Sequence, residues 1–170
     1  MKYLIYIIIV FSTNYASIFD WTNNGVPVRQ GYHIEWFRGG DLSSDNQMFV
    51  IWSDARTSIR YVYAQSVNAN GNINWNEDGV LISAEELGRQ EDPIIISDEN
   101  GGGFISWRSY KNDPTYGELY VQYIDSEGTL PWSDAKLVSE DIKIAINSQQ
   151  NMCSDRNGGV YVTWSSDWQV

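Results

Sequence analysis

QMFVIWSDAR at 47–56, GGFISWRSYK at 102–111 and GGVYVTWSSD at 158–167 are three versions of one phrase, a short apolar run ended by tryptophan. Their tryptophans, Trp52, Trp107 and Trp164, lie 55 and 57 residues apart. A second series keeps step with the first, because Trp21, Trp75 and Trp132 are separated by 54 and 57. The longer interval holds across a whole unit, carrying Tyr63 to Tyr120, Gln65 to Gln122, Gly71 to Gly128, Asp98 to Asp155 and Gly101 to Gly158. A fixed period of this size is the mark of a repeat architecture, in which each unit buries its apolar face against the next.

Each unit reads as strands. Pro93–Ser97, Gly103–Arg108, Glu118–Asp125 and Lys136–Ser139 are short apolar or alternating runs separated by turn residues, the pattern of antiparallel strands. Asp98-Glu99-Asn100-Gly101 and Ser126-Glu127-Gly128 supply the turns between them. Beyond residue 20, helical periodicity is confined to Ser83–Arg89, which suits a single turn. Four strands in some 55 residues match the blade of a β-propeller, whose repeats run to about 40–50 residues or slightly more. The expected fold is therefore all-β, an incomplete β-propeller of four-stranded antiparallel blades. A β-sandwich also has short strands but does not require its sequence to repeat.

The expected organisation is an outer strand at 20–31, blades at 32–83 and 90–139, and a half blade at 149–170. A closed ring takes at least four blades, roughly 220 residues at this period. The chain of 170 residues thus reads as part of a larger array that needs further blades. Residues 1–16 read as an export signal: Lys2 is the positive start, Leu4–Phe11 an unbroken apolar run, and Ser12–Ser17 a polar stretch suited to cleavage after Ala16. Eight apolar residues are too few for a membrane span, which takes about 20. The competing reading makes Tyr3, Ile5 and Ile7 one face of a first strand. The expected location is outside the cell or in its envelope.

The phrases SDENGGGFISW (97–107), YVQYIDSEGTLPW (120–132), YAQSVNANGNINWNEDGV (63–80) and SDRNGGVYVTW (154–164) resemble the repeat of large secreted bacterial β-propeller proteins. That resemblance implies an uncharacterised scaffold with a binding role. DLSSDNQMF (41–49) replaces the Gly-Gly turn in the first unit, where a longer, looser hairpin is expected. A looser likeness to the Asp-box hairpin of sialidase-type propellers is one residue out of step, at Gly71 to Trp75 and Gly128 to Trp132. The box is structural in those enzymes.

Chemistry is sparsely signalled. A formal charge of −11 with no run of Lys or Arg excludes a phosphate-tracking surface, so nucleic acid is not an expected partner. His33 is the sole histidine and no Gly-x-Ser-x-Gly elbow accompanies it, so neither a His-rich metal site nor a serine triad is expected. Asp54, Asp92, Asp113 and Asp141 are carboxylates for which no spacing selects a catalytic pair, and turn positions account for most of them. Asp98-x-Asn100-x-Gly102 lacks the twelve-residue frame of a calcium loop. Cys153, the single cysteine, is expected to be a small buried residue. No cofactor is expected.

The variable loops after each tryptophan strand are the remaining candidates. Asp54 and Arg56 in one unit correspond to Ser109 and Lys111 in the next, with Tyr110 and Tyr116 nearby. Variable loops on a repeated frame suit recognition. Asp54, Arg56, Tyr110 and Lys111 are accordingly the expected contacts for a protein or glycan ligand of a non-catalytic module. The alternative is a piece of a secreted glycan hydrolase whose catalytic groups lie in other blades.

Overall fold

The computed structural model describes residues 3–7, 25–31, 35–83, 85–139, 144–146 and 148–166. The chain is all-β and antiparallel. β1 (Tyr3–Ile7) pairs with β2 (Val26–Gly31). β3 (Glu35–Leu42), β4 (Met48–Asp54), β5 (Tyr61–Val67) and β6 (Val80–Leu81) form one sheet in chain order. β7 (Gln90–Ser97), β8 (Gly103–Ser109), β9 (Tyr116–Ile124) and β10 (Lys136–Leu137) repeat that order, and β11 (Ile144–Ala145) adds to the far end of β9. β12 (Gln150–Ser154) and β13 (Val160–Trp164) form a two-stranded pair. A 3-10 turn, Glu85–Leu87, occupies the stretch where helical periodicity occurs. These sheets do not close a ring among the described residues, and Trp21, His33, Asp141 and residues 1–2 and 8–16 of the expected signal lie outside the described residues.

The sheets stack face to face, and a tryptophan fills two of the gaps. Trp52 is fully buried in a cluster with Val26 and Val28 of β2 and Val50, Tyr61 and Tyr63 of its own sheet. Trp107, 55 residues on, is fully buried in the next gap among Phe49, Ile51, Val62, Ile95 and Ile105. Each ring lies flat on the tyrosine directly across the ladder, Trp52 on Tyr63 at 6.2 Å and Trp107 on Tyr120 at 6.0 Å. Burial of such a ring contributes about 2–3 kcal/mol. Trp164 is only partly buried on β13, and Cys153 is exposed rather than buried. The alternation that suggested a buried cysteine is real, but Met152 takes the covered face of β12.

Trp75 follows the hairpin glycine Gly71 in the sequence and is expected from that to lie as a lid over its own turn; the structure corrects this. Trp75 does not cap its own hairpin; it stacks on Phe49 at 5.5 Å, and its Nε1–H donates to the Ser126 carbonyl in the neighbouring sheet's hairpin at 3.0 Å. That hairpin turns at Gly128 (φ +78), where a Cβ would stand 2.6 Å from the indole, so the turn and the ring fit only without a side chain. Trp132 repeats the intrasheet part, packing on Phe104 and Tyr123.

The first hairpin is not longer than its counterparts. Ser43 N–H bonds the Gln47 carbonyl, as Asp98 does Gly102 and Asp155 does Gly159. The left-handed position held by Gly101 (φ +93) and Gly158 (φ +83) is taken by Asn46 (φ +63), which tolerates that region better than other side chains. The turn survives the loss of its glycines.

Trp107→Ala should cost about 3–5 kcal/mol of unfolding free energy and Trp164→Ala much less, because only the first leaves a closed cavity. Urea titration of both variants checks this; equal losses would mean that the two rings are equally packed.

Candidate functional site

The strand ends near Asp54, Ser109, Glu35 and Gln90 gather at one end of the stacked sheets. Of the expected contacts, Asp54 and Arg56 do come together, but as an internal clamp. Asp54 is fully buried at the end of β4; its carboxylate accepts from Arg56 N at 2.7 Å, Nε at 2.9 Å and Nη2 at 2.6 Å. Arg29 of β2 reaches the same carboxylate at 3.1 Å, and Trp52 Nε1–H approaches it at 3.4 Å. Arg56 also donates to the Asp78 carbonyl and lies 3.8 Å above the Tyr63 ring. The clamp thus fastens β2 and the 55–60 loop to the sheet.

Tyr110 and Lys111 sit apart from that clamp. Tyr110 is buried, its ring under Arg89 at 4.6 Å, and burial pushes its hydroxyl above the usual tyrosine range, with Arg108 and Arg89 pulling partly back. Lys111 is exposed. Ser109 has no carboxylate to offer Trp107; its hydroxyl donates to the Leu87 carbonyl, leaving the buried Trp107 Nε1 without a partner.

A different set of residues converges beside them. β3 and β7 run side by side and β12 follows β7. Arg38 falls at a register break of β3 between Phe37 and Gly39. Asp92 falls at the matching break of β7 between Glu91 and Ile94, where Pro93 has no N–H for the ladder, and its φ is +53. These bulges turn Arg38 and Asp92 toward each other, with Nη2 and Oδ1 2.8 Å apart. Arg108 of β8 binds the other Asp92 oxygen and donates Nη1 to the Ala145 and Ile146 carbonyls at 2.9 and 3.0 Å. Gln150 of β12 donates Nε2 to the Asp92 carbonyl at 2.6 Å. Asp92 therefore sits in a strand bulge rather than in a turn.

A parallel group adjoins it. Glu91 Oε1 is shared by Arg60 and Arg89, and Arg60 lies 3.5 Å above the Trp36 ring. Burial, then Arg89 and Arg38, pull Arg60 below the usual guanidinium range. Burial does the same to Arg108; Tyr110 offsets this in part and Arg38 adds to it. Arg38, Asp92, Arg108, Gln149 and Gln150 line a cleft of about 310 Å³. Past Gln149 and Gln150 it meets a second hollow of about 480 Å³ beside Thr163 and Trp164.

Two further groups singled out from the sequence, Asp113 and Asp98, bond to donors of the protein itself. Asp113 caps the backbone at Thr115 and Tyr116. Asp98 accepts from the Asn100 and Gly102 amides and from the Tyr123 hydroxyl at 2.7 Å, so protein donors occupy the oxygens a cation would need. No group of three or more His, Cys, Asp or Glu capable of holding a metal occurs among the described residues. No family model, curated protein or solved structure matches this chain.

Asp54→Ala removes the carboxylate on which two guanidiniums converge and should cost about 3–5 kcal/mol, read by denaturant unfolding. Tyr120 and Tyr123 are both pushed up to about 12, first by burial and then by their bonds to Glu118 and Asp98. Their folded values exceed the unfolded one near 10, so the stability they contribute is whole below pH about 10 and is lost as pH rises toward 12. Stability measured from pH 9 to 12 should fall, and less steeply in Tyr120→Phe/Tyr123→Phe.

Proposed function

We propose that this chain is a non-catalytic binding module of β-propeller type, exported to the cell surface or beyond, that holds its ligand at the loop end of the stacked sheets. The observation that carries this reading is the cleft where β3, β7 and β12 meet. Two bulges on adjacent strands aim Arg38 and Asp92 into one place, and bulges that re-aim side chains gather at functional sites. The cleft continues toward Trp164, Thr163 and Asn151, an aromatic face with amide and hydroxyl groups around it, which suits a glycan.

The same geometry supports binding over hydrolysis. Glycoside cleavage uses two carboxylates about 5–9.5 Å apart across the bond. Here Asp92 is held between Arg38 and Arg108, and Glu91 is turned to Arg60 and Arg89. Each carboxylate serves its own pair of guanidiniums. Among the described residues no helix is long and apolar enough to cross a membrane. Export would release residues 1–16, and with them the partner that β1 offers β2.

Glycan-array binding with the full chain tests the proposal: specific oligosaccharides should be retained intact, and Asp92→Asn should weaken retention. Release of cleaved sugar would overturn the non-catalytic reading. The mass of the exported product should correspond to loss of residues 1–16.

A further inference from the structure

We infer that the cleft between β3, β7 and β12 recognises a small oxyanion, a carboxylate, sulfate or phosphate group carried by the ligand, through the outward donors of Arg38. This rests on the binding reading above and narrows it to a charge class. Four of the chain's seven arginines, Arg38, Arg60, Arg89 and Arg108, meet at one end of a molecule whose formal charge is −11. Among the described residues two carboxylates, Glu91 and Asp92, answer them, which leaves the described cluster with a local positive excess on an acidic protein.

The groups that make up the cluster are fixed. Arg108 is buried, with a side-chain exposure of 5%, and is anchored by two backbone carbonyls and Asp92; its Nε has no partner. Asp92 is set by its bulge and by Gln150. Gln150 Oε1 is likewise buried without a partner. Arg38 differs. Its side chain is 40% exposed and spends Nη2 on Asp92. Arg38 lines the cleft and is oriented by that carboxylate, so its remaining donors are the ones left for a ligand. A guanidinium so oriented binds a second oxyanion with little further ordering, and charge-assisted bonds of this kind are the strong ones. An entering anion also offsets the repulsion of Arg38 on Arg60 and Arg108.

The test titrates the full chain, labelled with 15N, with sodium sulfate, inorganic phosphate, galacturonate and neutral galactose at low ionic strength, following the arginine Nε–H resonances. The expected result is saturable shifts of Arg38 and Arg108 with one or more of the three anions and none with galactose. Which anion binds most tightly tells a carboxylated from a sulfated or phosphorylated ligand. Arg38→Gln should weaken binding about tenfold or more. Lys136→Gln, which removes the same charge from exposed β10, should leave it within about twofold, and rising salt should weaken it. Anion binding that Arg38→Gln and Lys136→Gln reduce equally would overturn the inference, since net charge alone would then account for it. Galactose or an uncharged array glycan bound at the cleft, with no anion effect, would overturn it too and leave the binding module standing. If no anion and no glycan binds at all, both fall.

Discussion

Everything in this chain depends on an indole filling the gap between two twisted sheets. Twisted antiparallel sheets stacked face to face leave spaces that aliphatic side chains do not fill alone, and a void in a protein interior forfeits dispersion contacts on every side. Trp52 and Trp107 occupy equivalent gaps because the repeat returns the same ring to the same strand position, over a tyrosine in the same register. The stacked pair is as much a register device as a packing one. Slippage of β4 against β5 by one residue would exchange the face of Phe49 and Ile51, packed in one gap, with the face of Val50 and Trp52, packed in the other.

That constraint explains how much of the fold was legible. The strands of the second sheet begin and end within a few residues of the sequence reading, since alternation and turn chemistry both report on local backbone. The first hairpin was misread because its motif lacks glycine. Asn46 fills the left-handed position and Ser43 with Asp45 supplies the polar contacts, so the geometry is kept by other chemistry. Trp75 was misread for another reason. Its partner, Ser126, is 51 residues away, and a lid over a near turn was the simpler guess from sequence alone.

The site was less legible than the fold. Asp54 and Arg56 are two residues apart, and on a loop that spacing invites a functional reading. Instead the arginine folds back on the carboxylate and the pair is consumed as structure. The cleft residues come from strands whose adjacency follows only from stacking. One signal was nevertheless present: Pro93 has no N–H for a ladder, so the strand that carries Asp92 cannot run unbroken there.

The two clusters at this end of the molecule place one kind of ion pair in two settings. Around Asp54 the arginines are drawn inward: Arg29 and Asp54 are buried, Arg56 lies on Tyr63, and the contacts tie strand to loop. Around Asp92 the same chemistry faces a cleft, with one arginine buried and one exposed. Desolvation makes the first arrangement a fastening that is costly to break. In the second, the buried Arg108 holds Asp92 still and Asp92 holds Arg38, so an exposed guanidinium inherits the rigidity of a buried one. Preorganisation of this kind lets a surface group bind without losing much freedom, and it needs the bulges, because a regular ladder would send Arg38 and Asp92 to faces where they could not meet.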